Sequence, residues 1–389
     1  MGSTVRRAAL TAVLVIAAGL LTACGSGASS SGASASAGVI SVSNGGCGSG
    51  WHLAGPGWHT FQIYNGAAEG GTIDLVDPAS GGIYAEIETI GPGTTVPMRL
   101  DVGSGSYAFR CLFEDYDPIT GPTVTVSGHT SGTRAILPIT SNDLIAPAKQ
   151  YHSYVTAGLN TLVSQVDAVK AAVQGGDLTA AKTDWLTAHL TYERLGAAYG
   201  AFGDFDGEID GRADGLAGGV NSPDWTGFYR LEYGLWRGQS AHQLTSAAAA
   251  LDHDVRALRT SWPNTEINLL DIGLRTHEIL ENALEFQLTG HDDYGSGTTL
   301  ATTQANITGT LELLSILHRL LVPRYPGLPG VYTALSQLNS LLGREKKPGG
   351  GWVPVGQLPR STRQSLDAAC SQALEDLAPI AAMTEPRIT

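Results

Sequence analysis

Hydrophobic and polar positions divide the chain into two regimes. From residue 39 to about residue 127, apolar and polar positions alternate in short runs: HTFQIYN, GTIDLVD, IYAEIETI, TVPMRLDV, SYAFRCLF and PTVTVSG. These runs are rich in β-branched and aromatic residues and are split by Gly, Pro, Asn and Asp, which predicts strands joined by turns. Residues 39–128 are therefore expected to form a small all-β sandwich. Beyond residue 137 the period changes. Leu159, Leu162, Val163, Val166, Val169 and Val173 recur at helical spacing over 143–173. Gly175 and Gly176 stop that helix, and Asp177 is placed to cap the next, which runs to about residue 199. A Gly- and Asp-rich loop is expected over 203–220, with helices over 223–237, 240–260, 264–289, 298–322, 329–345 and 358–382. Residues 141–385 thus read as an all-α bundle domain.

The first residues follow a third pattern. Arg6 and Arg7 precede an apolar run over 8–21, and Leu21-Thr22-Ala23-Cys24 follows. A charged start, an apolar stretch and a small-residue cleavage site make an export signal. The tetrapeptide looks like a bacterial lipobox, with Cys24 as the lipidated residue; ordinary secretion is the alternative. Residues 1–24 are then a lipoprotein signal peptide, and 25–38, rich in Gly, Ser and Ala, a flexible tether. The run is too short and too rich in alanine for a spanning helix. Membrane attachment is expected through lipid alone, at the outer face of the cell membrane.

Composition narrows the function classes. The chain has 389 residues, 42% hydrophobic and 15% charged, enough apolar residues for real cores. Its net charge is 23 − 36 = −13, so a nucleic-acid partner is not expected. An exported chain meets an oxidising setting. Cys47 and Cys111 both fall in the β region and are the natural disulfide pair, while Cys370 sits on a helical pattern as a small buried hydrophobe.

Several chemistries can be tested on the residues. A blue-copper site needs two His and a Cys, but no His follows Cys111. Cys111 is then either half of a disulfide or part of another metal site with Glu86, Glu88, Glu114 or Asp115. There is no HExxH; His277 and Glu281 are four apart and form a lesser candidate pair. No G-x-S-x-G is present. Asp206-x-Glu208-x-Asp210-Gly211 starts like a calcium loop, but its twelfth position is Ala217, so the bidentate ligand is missing. Asp204, Asp206, Glu208, Asp210 and Asp214 still crowd one segment, just after His189 and Glu193, which are four apart on one helical face. Tyr229 and Glu232 are three apart on another. Carboxylates and a phenol on facing helices would build a site for a hard cation, ferric iron above all.

The stretches HLTYERLGAAYGAFGDFD, GFYRLEYGLW and HEILENALEFQLTG resemble the imelysin-like domain of EfeO-type proteins. IETIGPGTT and YAFRC resemble the cupredoxin-like domain that precedes it there. The resemblance implies a cupredoxin-like sandwich followed by a double helical bundle. It implies an exported iron-binding component, taking Fe2+ or Fe3+, that delivers the ion to a membrane permease, with a haem dye-decolorising peroxidase as a further partner. It does not imply proteolysis. The family signature H-x-x-E falls on Tyr229 and Glu232, with Tyr in place of His. Glu193 and Asp206 match positions proposed to complete the metal set. In the sandwich, Glu86 or Glu88, Cys111 and Asp115 fall near a proposed second site, for an ion such as Cu or Zn. The competing readings are an interaction module that has lost its metal and a divergent metallohydrolase.

Overall fold

A computed structural model describes residues 36–128 and 131–385. Residues 1–24, the proposed lipidation residue Cys24 and most of the tether lie outside them. The first half is a sandwich of two sheets. One has the order β2 (Gly46–Cys47), β1 (Ser36–Ser43), β3 (Gly57–Asn65), β6 (Thr95–Val102). The other has the order β5 (Ile83–Ile90), β4 (Gly71–Val76), β7 (Gly105–Phe113), β8 (Ile119–Thr120), with β9 (Val124–Val126) also pairing β7. All six strands expected from alternation form. β1 is an addition: it takes in residues 36–38 of the segment read as tether and runs parallel to β3. Its serines and glycine hide the strand pattern, and pairing with β3 supplies what propensity lacks.

Period two sends Phe61 and Ile63 of β3, Met98 and Leu100 of β6, and Tyr107, Phe109 and Phe113 of β7 into one core. Trp51 packs edge-on against Phe61 and Phe109, with ring centroids 6.1 and 4.8 Å away. Cys47 and Cys111 are joined by a disulfide, which links the two sheets.

The second half is helical: α1 (Ser141–Gly175), α2 (Leu178–Glu193), α3 (Tyr199–Phe202), α4 (Asp204–Asp210), α5 (Gly227–Trp236), α6 (Ala241–Ser261), α7 (Leu269–Asn282), α8 (Thr299–Leu321), α9 (Leu328–Gly343) and α10 (Arg360–Thr384). Thr140 and Asp143 form a capping box at the start of α1, and Gly176 closes it with φ 80°. Asp177 caps α2 by accepting from the Ala180 N–H. The stripe Tyr151, Val155, Leu159, Leu162, Val166 and Val169 of α1 is fully buried against α2 and α6. A second group packs α7 with α8 and α10, and α9 with α10. α8 lies on α2, where Gly309 lets it approach closely: a Cβ there would sit 2.6 Å from the Arg194 carbonyl oxygen. Among the described residues no helix is long and apolar enough to cross a membrane.

Two expectations change. The segment read as an acidic loop contains α4, which Gly203 at φ 62° separates from α3 just before it. Asp204 and Asp206 sit in the first turn of α4, where free N–H groups favour carboxylates; richness in Gly and Asp concealed this. The helix expected over 264–289 starts at Leu269 behind the cap Asn268 and widens into a π turn over Ala283–Gln287. Such turns recur beside functional sites.

Candidate metal centre

α2 places His189 and Glu193 one turn apart on a buried face. α4 places Asp206 and Asp210 one turn apart in the same way. α5 is laid against α4 through Gly227, at φ 84°, whose Cβ would lie 2.3 Å from the Ile209 carbonyl oxygen. Only glycine fits there, and that contact sets where Tyr229 enters. His189 Nε2 lies 3.1 Å from Glu193 Oε1 and 3.0 Å from Asp210 Oδ1. These three groups offer ligand atoms all within 4.8 Å of one another. The rings of Trp185, Phe228 and Tyr229, with centroids 4.9, 5.1 and 5.3 Å from that of His189, exclude water from it.

The cluster opens on a cavity of about 240 Å³ between the two groups of helices. Its lining includes Glu193, Asp206, Asp210, Tyr229 and Asp292. Asp206 accepts from the Tyr192 hydroxyl at 2.7 Å. Asp292, in the segment after the π turn, accepts through Oδ2 from the Tyr229 hydroxyl at 3.0 Å and from Gln287 Nε2 at 2.6 Å. Its Oδ1 is buried without a partner, and so is His189 Nδ1. Glu232, one turn beyond Tyr229, is buried and accepts from the Ser296 N–H at 2.9 Å.

Burial dominates the electrostatics. It pulls the His189 imidazole down, but the Asp210 and Glu193 carboxylates outweigh it and hold the ring well above its ordinary value. Burial lifts Asp210 to about 8 against the pull of His189. A proton between His189 Nε2 and Asp210 Oδ1, 3.0 Å apart, offsets the burial of both groups. Burial likewise raises Asp206, and takes Glu232 to about 7 and Asp292 to about 6. The Tyr229 phenol is pushed well up by burial, then by Asp210, Asp292, Glu193 and Glu232. Such a gathering of buried acids is the kind of site a cation stabilises.

Residues 147–329 match the imelysin family, described as Imelysin of peptidase family M75. This part of the chain is similar to imelysin domains. Over a longer stretch the chain is similar to the iron uptake system component EfeO of Yersinia pestis, with 26% identity over 303 residues, 76% of this chain and 78% of the relative. EfeO of Escherichia coli K12 is 26% identical over 307 residues, again 76% and 78%. The iron uptake system component EfeM of Pseudomonas syringae pv. syringae B728a is 26% identical over 236 residues, 60% of this chain and 83% of the relative.

Within the helical half the expected set is only partly the close cluster. Glu193 belongs to it. Asp206 and Tyr229 line the same cavity. Glu232 is turned to Ser296 instead. His189 and Asp210 had visible signals: each stands four residues from an expected ligand, as His189 to Glu193 and Asp210 to Asp206. Asp292 had none, because it lies in a loop far along the chain.

The secondary candidates do not assemble. His277 Nδ1 and Glu281 Oε2 are 3.7 Å apart, but Glu281 is 58% exposed and no third ligand type joins them among the described residues. In the sandwich, the disulfide removes Cys111 as a thiolate ligand. Glu86 pairs in register with Asp74, which holds Arg110 at 2.8 Å. Glu88 and Asp115 are exposed, Asp115 at a turn with φ 62°. Among the described residues Glu86, Glu88, Cys111 and Asp115 are not gathered into a cluster of metal-ligand atoms.

Proposed function

We propose that the chain captures an iron ion between its two helical bundles and passes it on, as an exported component of an iron uptake system. The observation that carries this reading is the buried cluster of His189, Glu193 and Asp210, whose two carboxylates line one cavity. The relatives named iron uptake components support it. Carboxylates with a single imidazole suit a hard or borderline cation.

In the cation-free protein, the shared proton of His189 and Asp210 holds the neighbouring carboxylates together. An arriving ion takes that place and releases the proton. Capture therefore weakens as pH falls. Tyr229 stays a phenol while four carboxylates surround it; ferric iron would supply the positive charge that lets it ionise and bind. In this reading Cys24 carries the lipid anchor, a membrane permease receives the ion, and a haem dye-decolorising peroxidase acts in the same system. The role is binding rather than catalysis, in keeping with a sequence that has no HExxH.

Metal titration of the chain from residue 25 onward tests this. Glu193→Gln and Asp210→Asn should each weaken iron binding on the order of a hundredfold. A visible phenolate-to-iron band should disappear in Tyr229→Phe. Tight binding that survives both carboxylate changes would defeat the reading.

A further inference from the structure

The cavity is lined by more than acids. Arg212, Arg275, Asn282 and Asn306 also border it. Among the described residues neither arginine forms a direct ion pair with an acid of the site, although the Arg275 charge pulls Asp206 down. Glu193 and Asp210 are engaged by His189, Asp206 by Tyr192, Asp292 by Tyr229 and Gln287. Arg275 pairs instead with Glu278 on its own helix, through Nη1 at 3.0 Å, and its Nε is buried without a partner. Gly200 leaves the room its guanidinium occupies, since a Cβ there would lie 2.9 Å from Nη2. The Arg212 guanidinium lies 3.6 Å over the Phe286 ring and pairs with exposed Asp214 at 3.6 Å. Stacking on a ring leaves the in-plane N–H donors of a guanidinium available.

A bare cation needs far less than about 240 Å³, since one water takes up only about 30 Å³ of liquid. The three clustered groups also leave coordination positions open on a six-coordinate ion. We propose that the cargo is held together with a small bidentate oxyanion, of the size and chemistry of oxalate or carbonate. The cation rests on His189, Glu193 and Asp210. The anion fills two open positions and is gripped from the other side by Arg212 and Arg275. Guanidinium and carboxylate geometries match as a two-pronged pair. This inference rests on the metal reading of the same cavity.

Terbium(III) is the probe, because its luminescence is sensitised by nearby tyrosine and its lifetime counts bound waters. In the chain from residue 25 onward, oxalate or bicarbonate should tighten terbium binding about tenfold or more, the worth of a charge-assisted pair. Each should also displace bound water, and separate oxalate and bicarbonate arms show which anion is preferred. Arg212→Gln, Arg275→Gln and the double variant should lose that enhancement. Their anion-free affinity should stay level or rise, because positive charge has been removed. Arg275→Lys, which keeps the charge without the fork, should recover only part of the enhancement. The inference is overturned if neither anion changes affinity or hydration, or if the double variant keeps the full enhancement. If Glu193→Gln leaves terbium binding untouched, the metal site itself is misplaced, a failure the anion arms alone would not produce.

Discussion

Glu232 is a buried carboxyl group hydrogen-bonded to Ser296, whose N–H donates to it at 2.9 Å. Burial lifts its pKa from 4.5 to about 7. A folded-state value above the unfolded one contributes stability that is complete below the unfolded pKa and is lost as pH rises through the folded pKa. At mildly alkaline pH the cation-free protein therefore carries a buried carboxylate at a cost. Glu232→Gln keeps an acceptor for Ser296 and removes the charge. It should stabilise the cation-free protein at about pH 8 by on the order of 1–3 kcal/mol, and change little near pH 5. Urea unfolding at the two pH values checks this. A destabilisation at the higher pH would mean the carboxylate is compensated without a cation.

At the scale of elements, the site depends on how α5 meets α4. Gly227→Ala combines φ 84° with a Cβ 2.3 Å from a carbonyl oxygen. The strain and the displaced helix should cost about 1–3 kcal/mol. Cation affinity should fall as well, because Tyr229 enters the cavity two residues later. A variant that unfolds earlier yet binds the ion as before would show that α5 does not position the site. The sandwich depends on a different link. Cys47 and Cys111 are 64 residues apart in sequence, so replacing both by Ser should lower its stability by about 2–4 kcal/mol. Iron affinity of the helical cavity should not move, since neither cysteine borders it. Calorimetry beside metal titration separates the two effects.

At the scale of the whole molecule, the raised groups act together. His189 and Asp210, Glu232 at about 7 and Asp292 at about 6 all sit above their ordinary values. Raised values of either charge type have the same sign: stability is lost as pH climbs through them. The melting temperature of the cation-free protein should fall between about pH 5.5 and about pH 8. Binding grows over the same range as protons leave the ligands. The gap in melting temperature between iron-loaded and iron-free protein should therefore widen with pH, as measured by scanning calorimetry. A gap that stays constant would mean the cavity acids are solvated in the cation-free state. The two regimes of the fold were legible in the sequence because periods of 2 and 3.6 are local properties: an apolar face must be buried wherever it occurs. The capping residues Thr140 and Asp177 and the stripe of α1 follow from the same local rules. Glu193, Asp206 and Tyr229, which line the cavity, stand in short motifs that singled them out as candidates. β1 and α4 were not, since Gly, Ser and Asp are weak formers and each element depends on a neighbour for support. Nor could the chain alone choose between thiolate and disulfide for Cys111, or find Asp292 opposite Tyr229, 63 residues away. Those were decided by sheet packing and by helix crossings, which bring together side chains that no spacing rule relates.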